Sequence, residues 1–246
     1  MGRRLWVGVA LQFFPTAHSP QPGFTCMSRE SVILVHGLWM NGLELSMLGH
    51  RLRREHGYEV RTFSYPTMSG TAADICRDLA DFGARSAGSG RVHFVGHSLG
   101  GVLVYRTLTD CGAGRFDGNA VLLAPPLNGS GAARGAARFP MLRPLLGPHV
   151  RSELMQPPPR AWRGPNAVGV IAGTLRMGTG QFFAHFDEDN DGTVGVSETR
   201  IPGLADHLVL PHSHFGMLHA HDVAAQVAHF LRYGRFIQPS PSGAGG

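Results

Sequence analysis

From residue 31 onward the chain alternates short β-branched and aliphatic runs with longer stretches whose apolar residues recur every three or four positions. The short runs read as buried strands, the longer ones as amphipathic helices, and their alternation predicts an α/β protein with a parallel sheet covered on both faces. "SVILVHG" (31–37) is the first strand. "LELSMLGHRLRREHG" (43–57) sets Leu45, Leu48 and Leu52 at helical spacing with Arg51, Arg53 and Arg54 turned outward. A second strand, "YEVRTFSYP" (58–66), precedes a helix over 71–86 with Ile75, Leu79 and Phe82 on one stripe and Thr71 or Ser69 as its cap. Strand 91–96, helix 100–110 and strand 119–125 follow, then strands 167–173 and 207–211 and a last helix over 219–233.

Between 125 and 165 proline and glycine are dense and the apolar spacing is irregular. Some forty residues without a regular pattern inside a single domain read as a lid-like or binding insertion. Residues 1–28 are expected outside the fold, either as a signal-like leader or as sequence ahead of a start at Met27. The fold is expected over 29–237, and the glycine- and serine-rich end, 238–246, as a flexible tail.

Composition narrows the function classes. With 43% hydrophobic and 16% charged residues the chain is globular, without the signature of disorder. The net charge of +5 comes entirely from arginine, and the arginines are scattered along the chain, so no nucleic-acid footprint forms. No apolar run approaches the roughly 20 residues that span a bilayer. Cys26, Cys76 and Cys111 match no zinc or redox spacing and cannot all pair; reduced thiols and a cytoplasmic setting are expected, or export if residues 1–28 act as a signal.

The chemistry begins at "VHFVGHSLGG" (92–101), which holds Gly96-His97-Ser98-Leu99-Gly100 between a β-rich run and an amphipathic run. In that context G-x-S-x-G is a strand-to-helix turn so tight that the serine is strained and its hydroxyl exposed. The helix that follows aims free N–H groups and its positive dipole end at the same point. "LVHGLWMNG" (34–42) ends the first strand nearby, so the backbone N–H groups of Leu38 and Leu99 are expected to form an oxyanion hole. His36 is expected to brace that loop.

With an HG loop after the first strand, a GHSLGG turn, a D-G-x-V loop and a late histidine, the sequence resembles the α/β-hydrolase superfamily, most closely small bacterial esterases and lipases. The resemblance covers roughly 31–236 and implies Ser98 as nucleophile, Asp191 as acid and His214 as base, in the family's order along the chain. It also implies a carboxylic ester hydrolase acting on a small-molecule or lipid-like ester through an acyl-enzyme, without cofactor or metal. An acyltransferase or thioesterase would use the same three residues.

Two features leave alternatives open. "DEDNDGTVGVSE" (187–198) also fits the D-x-D-x-D-G-x5-E calcium pattern, with Asp187, Asp189, Asp191 and Glu198 as ligands. An EF-hand needs a helix on each side of the loop, whereas here the flanks are glycine-broken before and proline-stopped after. The triad acid is therefore the first reading and calcium the second. Among the late histidines, His212 stands close to the strand end and is the reserve base, while His219 and His221 fall on the final helix. Leu38, Trp39, Met40, Phe215 and Met217 near the turn, and Phe139, Met141 and Leu142 in the insertion, are candidates for an acyl pocket.

Overall fold

A computed structural model describes residues 30–238 apart from 88–89, 156, 179, 181–182 and 184–185. The expectations for 1–28 and for the tail from 239 onward lie outside the described residues. Six strands, β1 Ser31–Val35, β2 Glu59–Phe63, β3 Val92–His97, β4 Ala120–Leu123, β5 Val168–Gly173 and β6 Asp206–Leu210, form one sheet in the order β2-β1-β3-β4-β5-β6. Every neighbouring pair is parallel. In register, Val35 stands beside Gly96, His97 beside Leu123 and Gly173 beside Leu210, so the strand ends that carry the candidate residues form one edge.

Strand side chains alternate between the two faces of the sheet. Ile33, Val35, Phe94, Leu122 and Val170 pack under α2 (Ala72–Ser86) and α3 (Leu99–Arg106), against Ile75, Leu79 and Leu103. Val32, Leu34, Val95, Val121 and Ile171 pack under α1 (Ser46–Arg54) and α6 (His221–Tyr233), against Leu48, Leu52, Val227 and Phe230. Thr71 caps α2, its Oγ1 accepting the N–H of Asp74 at 3.2 Å. The helix expected over 43–57 divides into a 3-10 turn, Leu43–Leu45, and α1; Gly42 at φ 100° turns the chain just ahead of it. His219 ends a separate 3-10 turn ahead of α6, so only His221 of the two lies on that helix.

The irregular stretch 125–165 contains short helical pieces: α4 Gly131–Ala136, a 3-10 turn at Arg143–Leu145, and α5 Pro148–Val150 running into a π turn at Arg151–Met155. Its apolar spacing hid them because each is two turns or fewer. A buried charge cluster fastens this stretch to α3. Glu153 pairs with Arg160 at 2.7 Å and with Arg106 at 2.6 Å, and Arg160 also donates to the Leu127 carbonyl at 2.6 Å.

Candidate active site

Ser98 occupies the turn between β3 and α3 with φ 54° and ψ −123°, a conformation that side chains other than hydrogen rarely adopt. Its N–H donates to the Leu123 carbonyl at 2.8 Å, which anchors the turn to β4. The flanking glycines are there for space. A Cβ on Gly96 would lie 2.6 Å from the Gly100 carbonyl oxygen, and one on Gly100 would overlap the carbonyls of Val35 and His36. The strand-end loop and the helix start therefore meet backbone to backbone.

That contact brings the loop after β1 beside Ser98. A Cβ on Gly37 would lie 3.2 Å from the Ser98 Cβ. His36, fully buried, holds the loop: its Nδ1–H donates to the Gly37 carbonyl at 3.0 Å and its Nε2 accepts the Tyr65 N–H at 3.2 Å. The Tyr65 hydroxyl donates back to the His36 carbonyl at 2.9 Å, and the two rings stack 4.4 Å apart. Burial lowers the His36 pKa, in keeping with the neutral ring these bonds require. Among the described residues, the backbone N–H groups of Leu38 and Leu99 have no hydrogen-bond partner.

Asp191 and His214 come from two loops beyond β5 and β6. Asp191 Oδ2 accepts His214 Nδ1–H at 2.7 Å, while Oδ1 accepts the N–H groups of Thr193 at 2.9 Å and Val194 at 2.7 Å. The His214 N–H also donates to the Asp191 carbonyl at 3.0 Å, so both backbone and side chain lock the pair. Both residues are buried. A carboxylate only accepts, so the proton of neutral His214 sits on Nδ1 and its Nε2 keeps a free lone pair.

His97, which no local sequence pattern singles out, belongs to the same assembly. Its Nε2–H donates to the His214 carbonyl at 2.9 Å, and the two rings lie 4.6 Å apart. Its Nδ1 is buried without a partner, and burial, with His214 adjacent, drives its pKa well below the usual histidine value. The signal available was its place between Gly96 and Ser98. Gly173 is likewise unmarked in the sequence: a Cβ there would lie 2.8 Å from the Asp191 Cβ. The reserve base is turned away, since His212 Nε2 is bonded to the Asp222 carboxylate at 2.8 Å.

Within the acidic stretch, Asp191 and Glu198 turn to different partners. Asp191 is taken up by His214 and two N–H groups, and Glu198 points elsewhere, accepting the N–H of Gly131 at 2.5 Å and of Gly195 at 3.0 Å. No helix flanks the loop among the described residues; a 3-10 turn at Ser197–Thr199 leads on toward β6. Among the described residues no three acidic, histidine or cysteine side chains converge on a point that could hold a metal ion.

Ser98 and His214 open into one cavity of 120 Å³. Leu38, Trp39, Met40 and Phe215 line it. Met217 does not: it is fully buried in the core between the sheet and α6, because the 3-10 turn Gly216–Leu218 points it inward. Phe139 and Met141 stand exposed outside the cavity and Leu142 packs against the core; in the stretch after α4 it is Leu146 and Leu154 that face the cavity. A wider cleft of 860 Å³, lined by Tyr105, Arg106 and Arg160 among others, includes none of Ser98, Asp191 and His214.

A parallel sheet with helices on both faces and a strained serine at the end of its third strand defines an α/β hydrolase fold. The family model described as the alpha/beta hydrolase family matches residues 32–227, and the chain belongs to that family, whose class of chemistry is hydrolysis. The mature form of the Bacillus licheniformis lipase BlEst2 is similar in fold, with 16% identity, TM-score 0.65 and coverage of 86% of this chain and 94% of that one. So is the metagenomic carboxyl esterase MGS0156, at 19% identity, TM-score 0.55 and coverage of 84% and 70%. A protein from Xanthomonas campestris pv. campestris assigned to the alpha/beta superfamily shares 12% identity, with TM-score 0.52 and coverage of 83% and 99%. No curated protein sequence matches the chain. Among the described residues no helix is long and apolar enough to cross a membrane.

Proposed function

We propose that the protein hydrolyses carboxylic esters through an acyl-enzyme on Ser98, with His214 as base and Asp191 as the acid that orients it. The observation that carries this reading is the 2.7 Å bond from His214 Nδ1–H to a buried Asp191, which leaves Nε2 as a proton acceptor in the cavity that Ser98 lines. In the proposed reaction His214 Nε2 takes the Ser98 Oγ proton as Oγ attacks the ester carbonyl carbon. The negative charge that develops on the carbonyl oxygen is met by the N–H groups of Leu38 and Leu99, both free to donate. Collapse of the tetrahedral intermediate breaks the C–O bond to the alcohol, which leaves with the proton held by His214. Water then attacks the acyl-enzyme, giving its proton to His214, and the second collapse returns that proton to Ser98 and releases the acid.

The reading is tested with p-nitrophenyl esters, comparing wild type with Ser98→Ala and with added EDTA. Expected is a fall in kcat of at least about 10³-fold in the alanine variant and no response to EDTA. A variant that keeps its rate, or a rate abolished by EDTA, overturns it.

A further inference from the structure

Resting on the triad reading above, we infer that the cavity beside Ser98 is an acyl pocket walled on one side by α4, and that it favours short acyl groups of about two to five carbons. The acyl group stays bonded to the serine through the intermediate while the alcohol departs, so the partly open space next to Ser98 is assigned to the acyl chain. None of the lining side chains is Asp, Glu, Lys or Arg, and the wall is built from Ala132, Ala133 and Ala136 of α4 with Leu146, Leu154 and Phe183. The one hydroxyl on α4's side, Ser130, is occupied: its Oγ accepts the Ala133 N–H at 3.1 Å as the helix cap. Such a surface fits an uncharged hydrocarbon chain.

Volume sets the length. The cavity measures 120 Å³, somewhat below the roughly 150 Å³ that encloses a six-carbon benzene ring. The wall is held in place on two sides. A Cβ on Gly135 would overlap the Phe183 carbonyl, so α4 already touches that backbone, and Glu198 ties the first N–H of α4 to the loop that carries Asp191.

The test is the ratio of kcat/KM values across p-nitrophenyl acetate, butyrate, octanoate and laurate, for wild type, Ala133→Leu and Leu154→Ala. For wild type, butyrate should exceed octanoate by about tenfold or more. Ala133→Leu, which places three carbons in the cavity, should lower the butyrate-to-acetate ratio by about tenfold. Leu154→Ala, which opens the wall, should raise the octanoate-to-butyrate ratio. Wild type that prefers octanoate or laurate, or ratios unmoved in both variants, overturns the inference while leaving the triad reading intact if Ser98→Ala is inactive. Wild type that turns over none of the four esters overturns the triad reading itself. Should Ala133→Leu fail to fold, the wild-type profile and Leu154→Ala decide alone.

Discussion

At the scale of single residues, the site depends on hydrogen-bond donors and acceptors that can each play only one part. Asp191 accepts three bonds, two from backbone N–H groups and one from His214, and so fixes which ring nitrogen of a neutral His214 carries its proton. Asp191→Asn keeps the size and can keep the fold, but an amide nitrogen facing His214 favours the wrong tautomer. The expected result is a fall in kcat of about 10⁴-fold with an unchanged circular dichroism spectrum; a variant within tenfold of wild type would show that Asp191 does not orient the base. The strand-to-helix turn at Ser98 was legible in the sequence because glycine spacing marks it, and the pairing of Asp191 with His214 was anticipated through the family resemblance. His97 was not, because its role is to donate to the His214 carbonyl, 117 residues away along the chain, and no local pattern encodes such a bond. Met217 misled for the related reason that a 3-10 turn after His214 reverses the direction a simple loop would give it.

At the scale of elements, the glutamate that completes the calcium pattern serves as a structural link. Glu198 joins α4 to the acid loop through the N–H groups of Gly131 and Gly195, with Arg134 3.8 Å from its carboxylate. Glu198→Ala leaves those N–H groups without an acceptor, at about 1–3 kcal/mol. Thermal unfolding should then occur several degrees lower, and neither calcium nor EDTA should shift the midpoint of either protein. A calcium-dependent rise in the wild-type midpoint would restore the loop as an ion site. The strands and long helices were legible because their apolar periods run over many residues, and the parallel sheet follows from their alternation. Short pieces such as α4 were not, since two turns give too few positions for a period and their stability comes from packing against the sheet's far loops.

At the scale of the whole molecule, the stability of the fold is tied to histidines held neutral. Burial lowers the pKa of His36, His93, His97 and His207, the last to about 4. Below the unfolded value of 6.5 the unfolded chain therefore takes up protons that the folded one refuses. Stability should be full above that pH and fall progressively beneath it. Glu198, whose carboxyl burial raises, titrates with the opposite sign, but it is one group against these four and His56, which burial lowers as well. Denaturant midpoints at pH 8, 7, 6 and 5 check this: a decline confined to the two lower values is expected, and a midpoint that stays level or rises toward pH 5 would mean that these rings are protonated in the folded protein.

The most direct measurement of the central claim is the intact mass of the protein after reaction with a fluorophosphonate, which captures an activated serine, followed by peptide mapping. One adduct on Ser98, absent in Ser98→Ala and strongly slowed in Asp191→Asn, is the expected result. No adduct, or one that maps to another residue, would contradict the assignment of Ser98 as the nucleophile.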